Sequence, residues 1–471
     1  MANSVTEDNR DRKSGSLEVD DQLVDDISAL LQSDERGMLM NLIADLHPAD
    51  LADLISHLSL EDAQLLFDRL PTDVGGDVLT ELDSTLRAAL LEESRPDRIS
   101  EMLDTLDTDD ATDILGDLSD EMAEEVLDGL EDAEHVRELL SYDEESAGGI
   151  MQREYVPALR SLTVAEVTEE VRRLAETIEP IYAVYVIDEA GVLLGVVSLK
   201  QLLLSPATAR IDSLMRTDFE AVTTEVDQEE VARIMERYDL VVLPVVDAAG
   251  RLIGRITIDD VVDVIREEAE EDLQLMSGVS GGEAASDSVF RILRGRLPWL
   301  MIGLVGAGLS GLVIGSFEDA LKAAVVLASF LPIMMATAGN VGIQSSSIVV
   351  QGLASGDVWS SDVVRRMGKE TAVALVNGLS LASVLALSII VLPILIPSAS
   401  VLIVHPVHLA ITAGLSLMAI VLLATVIGTV VPILLHRVGI DPALATGPFI
   451  TTLNDILGLT VYFLIATFVY L

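Results

Sequence analysis

The chain has 471 residues, no cysteine and a formal net charge of −48, from 77 acidic and 29 basic side chains. Lack of cysteine excludes a disulfide scaffold and thiolate chemistry, and the length suggests about three domains of roughly 150 residues each. Residues 291–471 hold seven acids and eight bases, so the acidic excess belongs to the first 290 residues, which should repel nucleic acid and anionic lipid and attract cations.

In chain order, residues 1–19 are polar, carry no apolar stretch of signal-peptide type, and read as a disordered N-terminus. Residues 20–144 read as an acidic, all-α superhelical domain. LADLISHLSLEDAQLLFDRLPTDVGGDVLTEL (51–82) aligns without a gap on ISEMLDTLDTDDATDILGDLSDEMAEEVLDGL (99–130). Apolar residues recur there at helical spacing, and polar breaks separate short stacked helices. Residues 145–265 hold a second repeat. YVIDEAGVLLGVVSLKQLL (185–203) matches LPVVDAAGRLIGRITIDDVV (243–262), pairing Asp188 with Asp247, Gly191 with Gly250 and Gly195 with Gly254. Each copy reads as an apolar strand, a D-x-x-G turn, a second strand and a helix start. This resembles a pair of α/β CBS domains, which commonly sense ligands.

Residues 266–292 read as an acidic linking helix. The stretch TIDDVVDVIREEAEED (257–272) sets its acids against a single base, Arg266. Like charges three and four apart destabilise a helix unless cations screen them. Residues 293–471 read as an all-α membrane domain, with charge-free stretches long enough for five spans at about 297–317, 322–350, 369–396, 407–436 and 444–470. Arg291, Arg294, Arg296, Arg365, Arg366, Lys369 and Arg437 all fall on one side of that topology. By the positive-inside rule the N-terminal domains are cytoplasmic and the C-terminus is outside, in a multi-pass protein of the cell (inner) membrane. GAGLSG (306–311) matches G-x-G-x-x-G but lies inside a span with no strand before it, so it is not a dinucleotide motif. Gly303, Ala307, Gly311 and Gly315 read instead as a small-residue packing face.

Asp455 is the one charged residue after Asp441, inside the apolar stretch TTLNDILGLTVYFLIA. A charge at membrane depth is rare without a partner or a path. Thr451 lies four residues earlier on the same helical face. A hard divalent cation with oxygen ligands would supply such a partner. Asn340 and Gln344, in AGNVGIQSS (338–346), offer amide oxygens four apart, while Gly339 and Gly342 allow close backbone approach. Asp441, before Pro442, reads equally as a helix N-cap or an ion-path contact.

The order of parts, with SAGGIM (146–151), AGNVGIQSS, DPALATGPF (441–449) and TTLND (451–455), closely resembles the MgtE family of magnesium channels. The resemblance implies a homodimer in the lipid bilayer, with the ion path on its two-fold axis lined by spans two and five. It makes Asp455 the selectivity ligand, with a backbone oxygen contributed at Thr451. It carries Asp259, Asp260, Asp263, Glu268, Glu271 and Asp272 to cytosolic Mg²⁺ sites, with Asp227, Glu229 and Asp239 in the second CBS copy matching others. Asp109, Asp110 and Asp113 of the helical repeat complete sites between domains. Bridging by Mg²⁺ would close the pore, and its loss would let the acidic surfaces separate. Thr257 and Asp260 form the T-x-x-D pattern that admits ATP at a CBS domain, although the first copy has Gln201 where an acid is expected. No Walker A motif, catalytic triad or metalloprotease spacing argues for an enzyme. The alternatives are a transporter of Co²⁺, Mn²⁺ or Ni²⁺, and a membrane-anchored CBS sensor.

Overall fold

The computed structural model describes residues 21–33, 36–44, 46–175, 177–178, 180–279, 289–354, 363–395 and 405–471, so the N-terminus read as disordered lies outside it. The chain divides into one unit ending at Arg266 and another beginning at Glu267.

The first unit opens with α1 (Asp21–Gln32), α2 (Arg36–Ile43), α3 (Pro48–His57), α4 (Leu60–Phe67) and α5 (Thr72–Glu81). It continues with α6 (Ser84–Glu92), α7 (Pro96–Leu103), α8 (Thr108–Gly116), α9 (Asp120–Leu127) and α10 (Ala133–Leu139). Helices α3, α5, α7 and α9 begin at Pro48, Thr72, Pro96 and Asp120, and α4, α6 and α8 at Leu60, Ser84 and Thr108, a 24-residue period in both series. The 48-residue offset legible in the sequence is therefore two structural repeats. The period follows from capping chemistry. The Ser59 hydroxyl accepts from the Asp62 amide, and one period later Asp83 accepts from the Thr85 and Leu86 amides. Between them the helices bury Leu54, Ile55, Leu66, Phe67, Leu79, Leu90 and Ile99 in one continuous core. Arg98 ties successive turns together by donating to the carbonyls of Asp68 (2.7 Å), Phe67 (2.9 Å) and Leu70 (3.0 Å).

The two CBS copies follow. The first has β1 (Val156–Leu159), α11 (Val164–Leu174), β2 (Ala183–Ile187), β3 (Leu193–Ser198) and α12 (Leu199–Leu204). The second has β4 (Val222–Thr223), α13 (Gln228–Tyr238), β5 (Val242–Val246), β6 (Leu252–Thr257) and α14 (Ile258–Met276). Each sheet pairs its first two strands in parallel and its last two antiparallel. The aligned D-x-x-G turns are equivalent. Gly191 (φ 83°) and Gly250 (φ 78°) take the left-handed conformation, which glycine adopts without a side-chain penalty. The turns also bond to each other, Leu193 N to Gly250 O and Leu252 N to Gly191 O, both at 3.0 Å. The sequence repeat thus becomes a pseudo-symmetric pair.

The second unit holds α15 (Val289–Ser316), α16 (Glu318–Ala323), α17 (Leu331–Ala354), α18 (Val363–Leu395), α19 (Pro406–Arg437) and α20 (Pro448–Val469). Five stretches, including one over Val325–Ala354 that covers α17, are long and apolar enough to cross a membrane. They match the five spans read from the sequence, with α15 starting earlier than expected, at Val289 rather than near 297. Helix α19 is the central element, packing on α17, α18 and α20. The core joins Met334 and Ala338 to Leu417, Ile420, Leu459 and Phe463.

The acidic linking helix differs from its expected range of 266–292. It starts at Ile258, directly after β6, and ends at Met276. Gly278 (φ 76°) terminates it: Gly278 N bonds to Leu275 O and Val279 N to Gln274 O, both at 3.0 Å, the Schellman pattern. Residues 280–288 of the expected range lie outside the described residues.

Replacing Arg98 by alanine strands three carbonyls in the helical repeat and should destabilise it by about 1–3 kcal/mol. Arg172→Ala, which breaks a surface pair with Glu169 whose side chains are 70% and 75% exposed, should leave stability within about 0.5 kcal/mol. Thermal unfolding of the purified variants checks the contrast.

Candidate ion path and carboxylate cluster

Helix α20 is placed by glycines on its neighbours. A Cβ at Gly306 of α15 would collide with Thr452, one at Gly339 of α17 would meet Thr451 Cγ2 at 3.3 Å, and one at Gly342 would collide with the Asn454 amide. The packing face of α15 is therefore Gly306 and Ser310, both buried. Gly311 and Gly315, expected to pack, have open space beside them, and Gly303 and Ala307 line a cavity instead. Helical periodicity allowed either face, and the fit to Thr452 selects the one carrying Gly306.

That cavity, about 590 Å³, is lined by Met276, Ser277, Gly303, Ala307, Ile343, Gly447, Pro448, Thr451, Thr452 and Asp455. Asp455 is its one ionisable lining group, and its Oδ1 is buried with no hydrogen-bond partner. The Thr451 hydroxyl donates to Gly447 O at 3.2 Å. Asn340 and Gln344 are exposed on the surface of α17 and do not line the cavity, whereas Ile343 does. The end of the acidic helix closes one side. A Cβ at Gly447 would meet Met276 O at 2.8 Å, and one at Gly278 would meet Pro448 Cγ at 2.8 Å.

Asp441 caps the 3₁₀ turn Pro442–Ala445, accepting from Ala443 N at 2.7 Å, as the cap reading expected. It also lies near the acidic helix. Burial, then Asp441, then Glu268 push the Asp272 carboxyl up to about 6. Glu268 and Glu271 are half-buried on the same helix.

In the first unit a second set of acids meets. Asp109 is 5% exposed and its Oδ1 has no partner. Burial, then Asp260, hold Asp109 well above the ordinary carboxylate range. Burial, then Asp260, bring Asp110 up to about 7, and burial, then Glu154, do the same for Asp107. Asp260 is pushed up to about 6 by burial, against the pull of Thr257. Its Oδ2 accepts from Thr257 Oγ1 (2.6 Å), Thr257 N (3.1 Å) and Gln152 Nε2 (3.4 Å). SAGGIM delivers this Gln152: its glycines fold closely over Tyr142 and the backbone of Asp143, and Gln152 N then bonds to Arg255 O at 2.7 Å. Arg255, 2% exposed, is the buried cation beside the cluster; Nη1 donates to Pro180 O (2.8 Å), and Nε and Nη2 have no partner.

The other expected ligands are dispersed. Asp113 and Asp259 are exposed, and Asp263 pairs with Arg266 at 2.9 Å. Asp227 caps α13 by accepting from Glu229 N (2.9 Å), Glu229 is exposed, and Asp239 ends that helix with φ 50°. Asp227 shares an acidic cavity of about 430 Å³ with Asp143, Glu145 and Glu225. Among the described residues, no three acidic or histidine side chains converge closely enough to hold a bare metal ion. Sequence reasoning missed Asp107, Glu154 and Asn454. Asp107 holds the N-cap position of α8, yet unlike Ser59 and Asp83 it makes no cap bond and joins the acid cluster instead.

A helical repeat, a CBS pair and five apolar helices, three of which line a cavity with one carboxylate, are the architecture of a membrane transport protein with an appended CBS region. Family models agree in order and extent: the MgtE intracellular N domain over residues 46–145, CBS domains over 147–207 and 211–267, and the MgtE divalent cation transporter over 331–465. The magnesium transporter MgtE of Thermus thermophilus is 34% identical over 458 residues, 95% of this chain and 98% of that one. That of Bacillus subtilis is 33% identical over 450 residues, 95% and 97% of the two chains. A crystal structure of the cytosolic domain of the Mg²⁺ channel MgtE in complex with ATP matches at 37% identity and a TM-score of 0.49, covering 51% of this chain and all of that one. The chain belongs to the MgtE family.

A carboxyl group whose folded pKa is raised is neutral, and without repulsion, below its ordinary value; its repulsion is complete only above the folded pKa. In metal-free protein the contact of α8 with the second CBS copy should therefore loosen as pH rises through about 6 to 7. Proteolysis of the 141–155 connection in the full chain should accelerate between about pH 5.5 and pH 8, and Asp109→Asn should flatten that rise. A wild-type rate independent of pH would mean that these acids do not govern the contact.

Proposed function

We propose that the chain imports Mg²⁺ across the cytoplasmic membrane and that cytosolic Mg²⁺ gates it. The observation that carries this reading is the cavity in the membrane unit. Its one carboxylate has an unpartnered oxygen, and its wall includes Met276 and Ser277 from the end of the acidic helix. A carboxylate left without a partner at membrane depth is costly unless a cation or water passes beside it. The relatives named as magnesium transporters support Mg²⁺ as that cation.

The chain acts as a homodimer in the bilayer, with two copies of Asp455 facing across the axis and the N-terminal domains in the cytoplasm. Thr451 contributes backbone oxygen, and the exposed face of α17 with Asn340, Ile343 and Gln344 turns toward the partner. Asp441 stands at the cytoplasmic mouth. Regulation is electrostatic. At low Mg²⁺ the carboxylates around Asp109, Asp110 and Asp260 repel, as do Glu268, Glu271 and Asp272. At high Mg²⁺ ions neutralise them, with Asp113, Asp227, Glu229, Asp239, Asp259 and Asp263 as peripheral ligands, and the acidic helix stays seated against Gly447 and Pro448. A full switch requires about 5.5 kcal/mol of differential binding, within reach of several weak sites acting together. ATP at Thr257 and Asp260 would compete with this cluster, because the Asp260 carboxylate already accepts three hydrogen bonds. ATP is a modulator in this reading, and gating does not require it.

Asp455→Ala should abolish Mg²⁺-dependent growth in a bacterium lacking its own Mg²⁺ uptake, while the variant still accumulates in the membrane. Full rescue by it would remove the pore assignment. The triple variant Glu268→Ala, Glu271→Ala and Asp272→Ala should conduct at millimolar cytosolic Mg²⁺, where the wild type is closed; normal closure would refute bridging by these acids.

A further inference from the structure

Asn454 is 1% exposed in the core of the membrane unit, one residue before Asp455. Its Nδ2 donates to Ala338 O of α17 at 3.3 Å, and its Oδ1 is buried with no hydrogen-bond partner. The amide reaches that carbonyl because Gly342, one turn beyond Ala338, has no side chain: a Cβ there would strike Asn454 Nδ2 and lie 2.7 Å from Ile450 Cγ2. From the other side Gly428 of α19 presses on the same place, its Cβ position 2.5 Å from Gly342 O. A buried amide with an unpaired oxygen costs roughly 1–3 kcal/mol. An apolar side chain of similar volume would avoid that cost, so packing does not account for this asparagine.

We propose that Asn454 is the positioning residue for the Asp455 carboxylate. Successive residues on an α-helix are about 100° apart, so tying residue 454 to α17 fixes the rotation and height at which residue 455 enters the cavity. Gly342 and Gly428 form the socket that makes the tie possible. An ion recognised through its waters is sensitive to where a single charge stands, and so this socket sets discrimination between Mg²⁺ and similar ions. The inference rests on the reading of Asp455 as the ion ligand.

The test is uptake of Mg²⁺ and of Co²⁺ by the full chain in liposomes. Asn454→Ala and Gly342→Ala should each lower the Mg²⁺-over-Co²⁺ ratio about tenfold. The double variant should be no lower than either single one, because both break the same contact. Should Asn454→Ala fail to accumulate, Asn454→Gln, which keeps the amide one methylene farther out, should show the same fall. Loss of uptake for both ions with an unchanged ratio would reduce Asn454 to a structural role and overturn the proposal. Asp455→Asn separates the two claims. Wild-type transport and selectivity in that variant would defeat the Asp455 reading itself, whereas a dead Asp455→Asn beside an unchanged ratio in the Asn454 variants defeats the positioning claim alone.

Discussion

A carboxylate taken out of water must be neutralised, by a proton or by a cation, and both units of this protein bury acids whose charge their hydrogen bonds do not neutralise. In the membrane unit it is Asp455, with one oxygen buried and unpaired. In the first unit it is Asp109 with its neighbours Asp107, Asp110 and Asp260, all held above their ordinary range chiefly by burial. Salt bridges answer the same need elsewhere in the chain, as Arg87 does for Asp117. The cluster sets four acids against Arg255, with Arg87 acting on Asp110. Such an arrangement is relieved by protonation of the acids or by a cation brought to them.

The two places are linked in sequence by α14. Its first turn carries Asp260 of the cluster, and its last residue, Met276, lines the cavity of Asp455. At its end Gly278 lies against the Pro448 ring and Gly447 against the Met276 carbonyl. Glycine at both positions lets the two chain segments approach where a Cβ would collide.

Much of this was legible in the residues. Apolar length gave five spans, and the D-x-x-G alignment gave the paired CBS turns. Acid density in TIDDVVDVIREEAEED gave the charged helix, although its end at Gly278 required reading SGVSGG as a stop. What escaped depended on three-dimensional choices among equivalent patterns. Asp107 and Asp83 occupy the same place in a 24-residue repeat, and only the packing of α8 turns one of them from a cap into a member of the cluster. Gly303 and Gly306 belong to one small-residue run, and the fit to Thr452 decides which of them packs. Asn454 was overshadowed by the charge beside it, since nothing in TTLND says which of two adjacent polar residues points inward.

The coordination chemistry narrows the ion further. Dehydrated Ca²⁺ takes six to eight oxygens and Zn²⁺ four nitrogen, sulfur or oxygen ligands, so a protein cage for either brings several donors to one point. Among the described residues no three acids or histidines do so, and the chain has no cysteine. Single carboxylates spaced around cavities and clefts are a poor cage for a bare ion but a workable one for an ion that keeps its waters, and Mg²⁺ is the common divalent cation most reluctant to lose them. Selection would then act on the size and charge of the hydrated ion, through a wall of backbone, small side chains and one carboxylate. In the proposed reading a wall of that kind discriminates only if it does not move, and the glycine contacts that hold α20 in place then matter to ion selection as much as the carboxylate does.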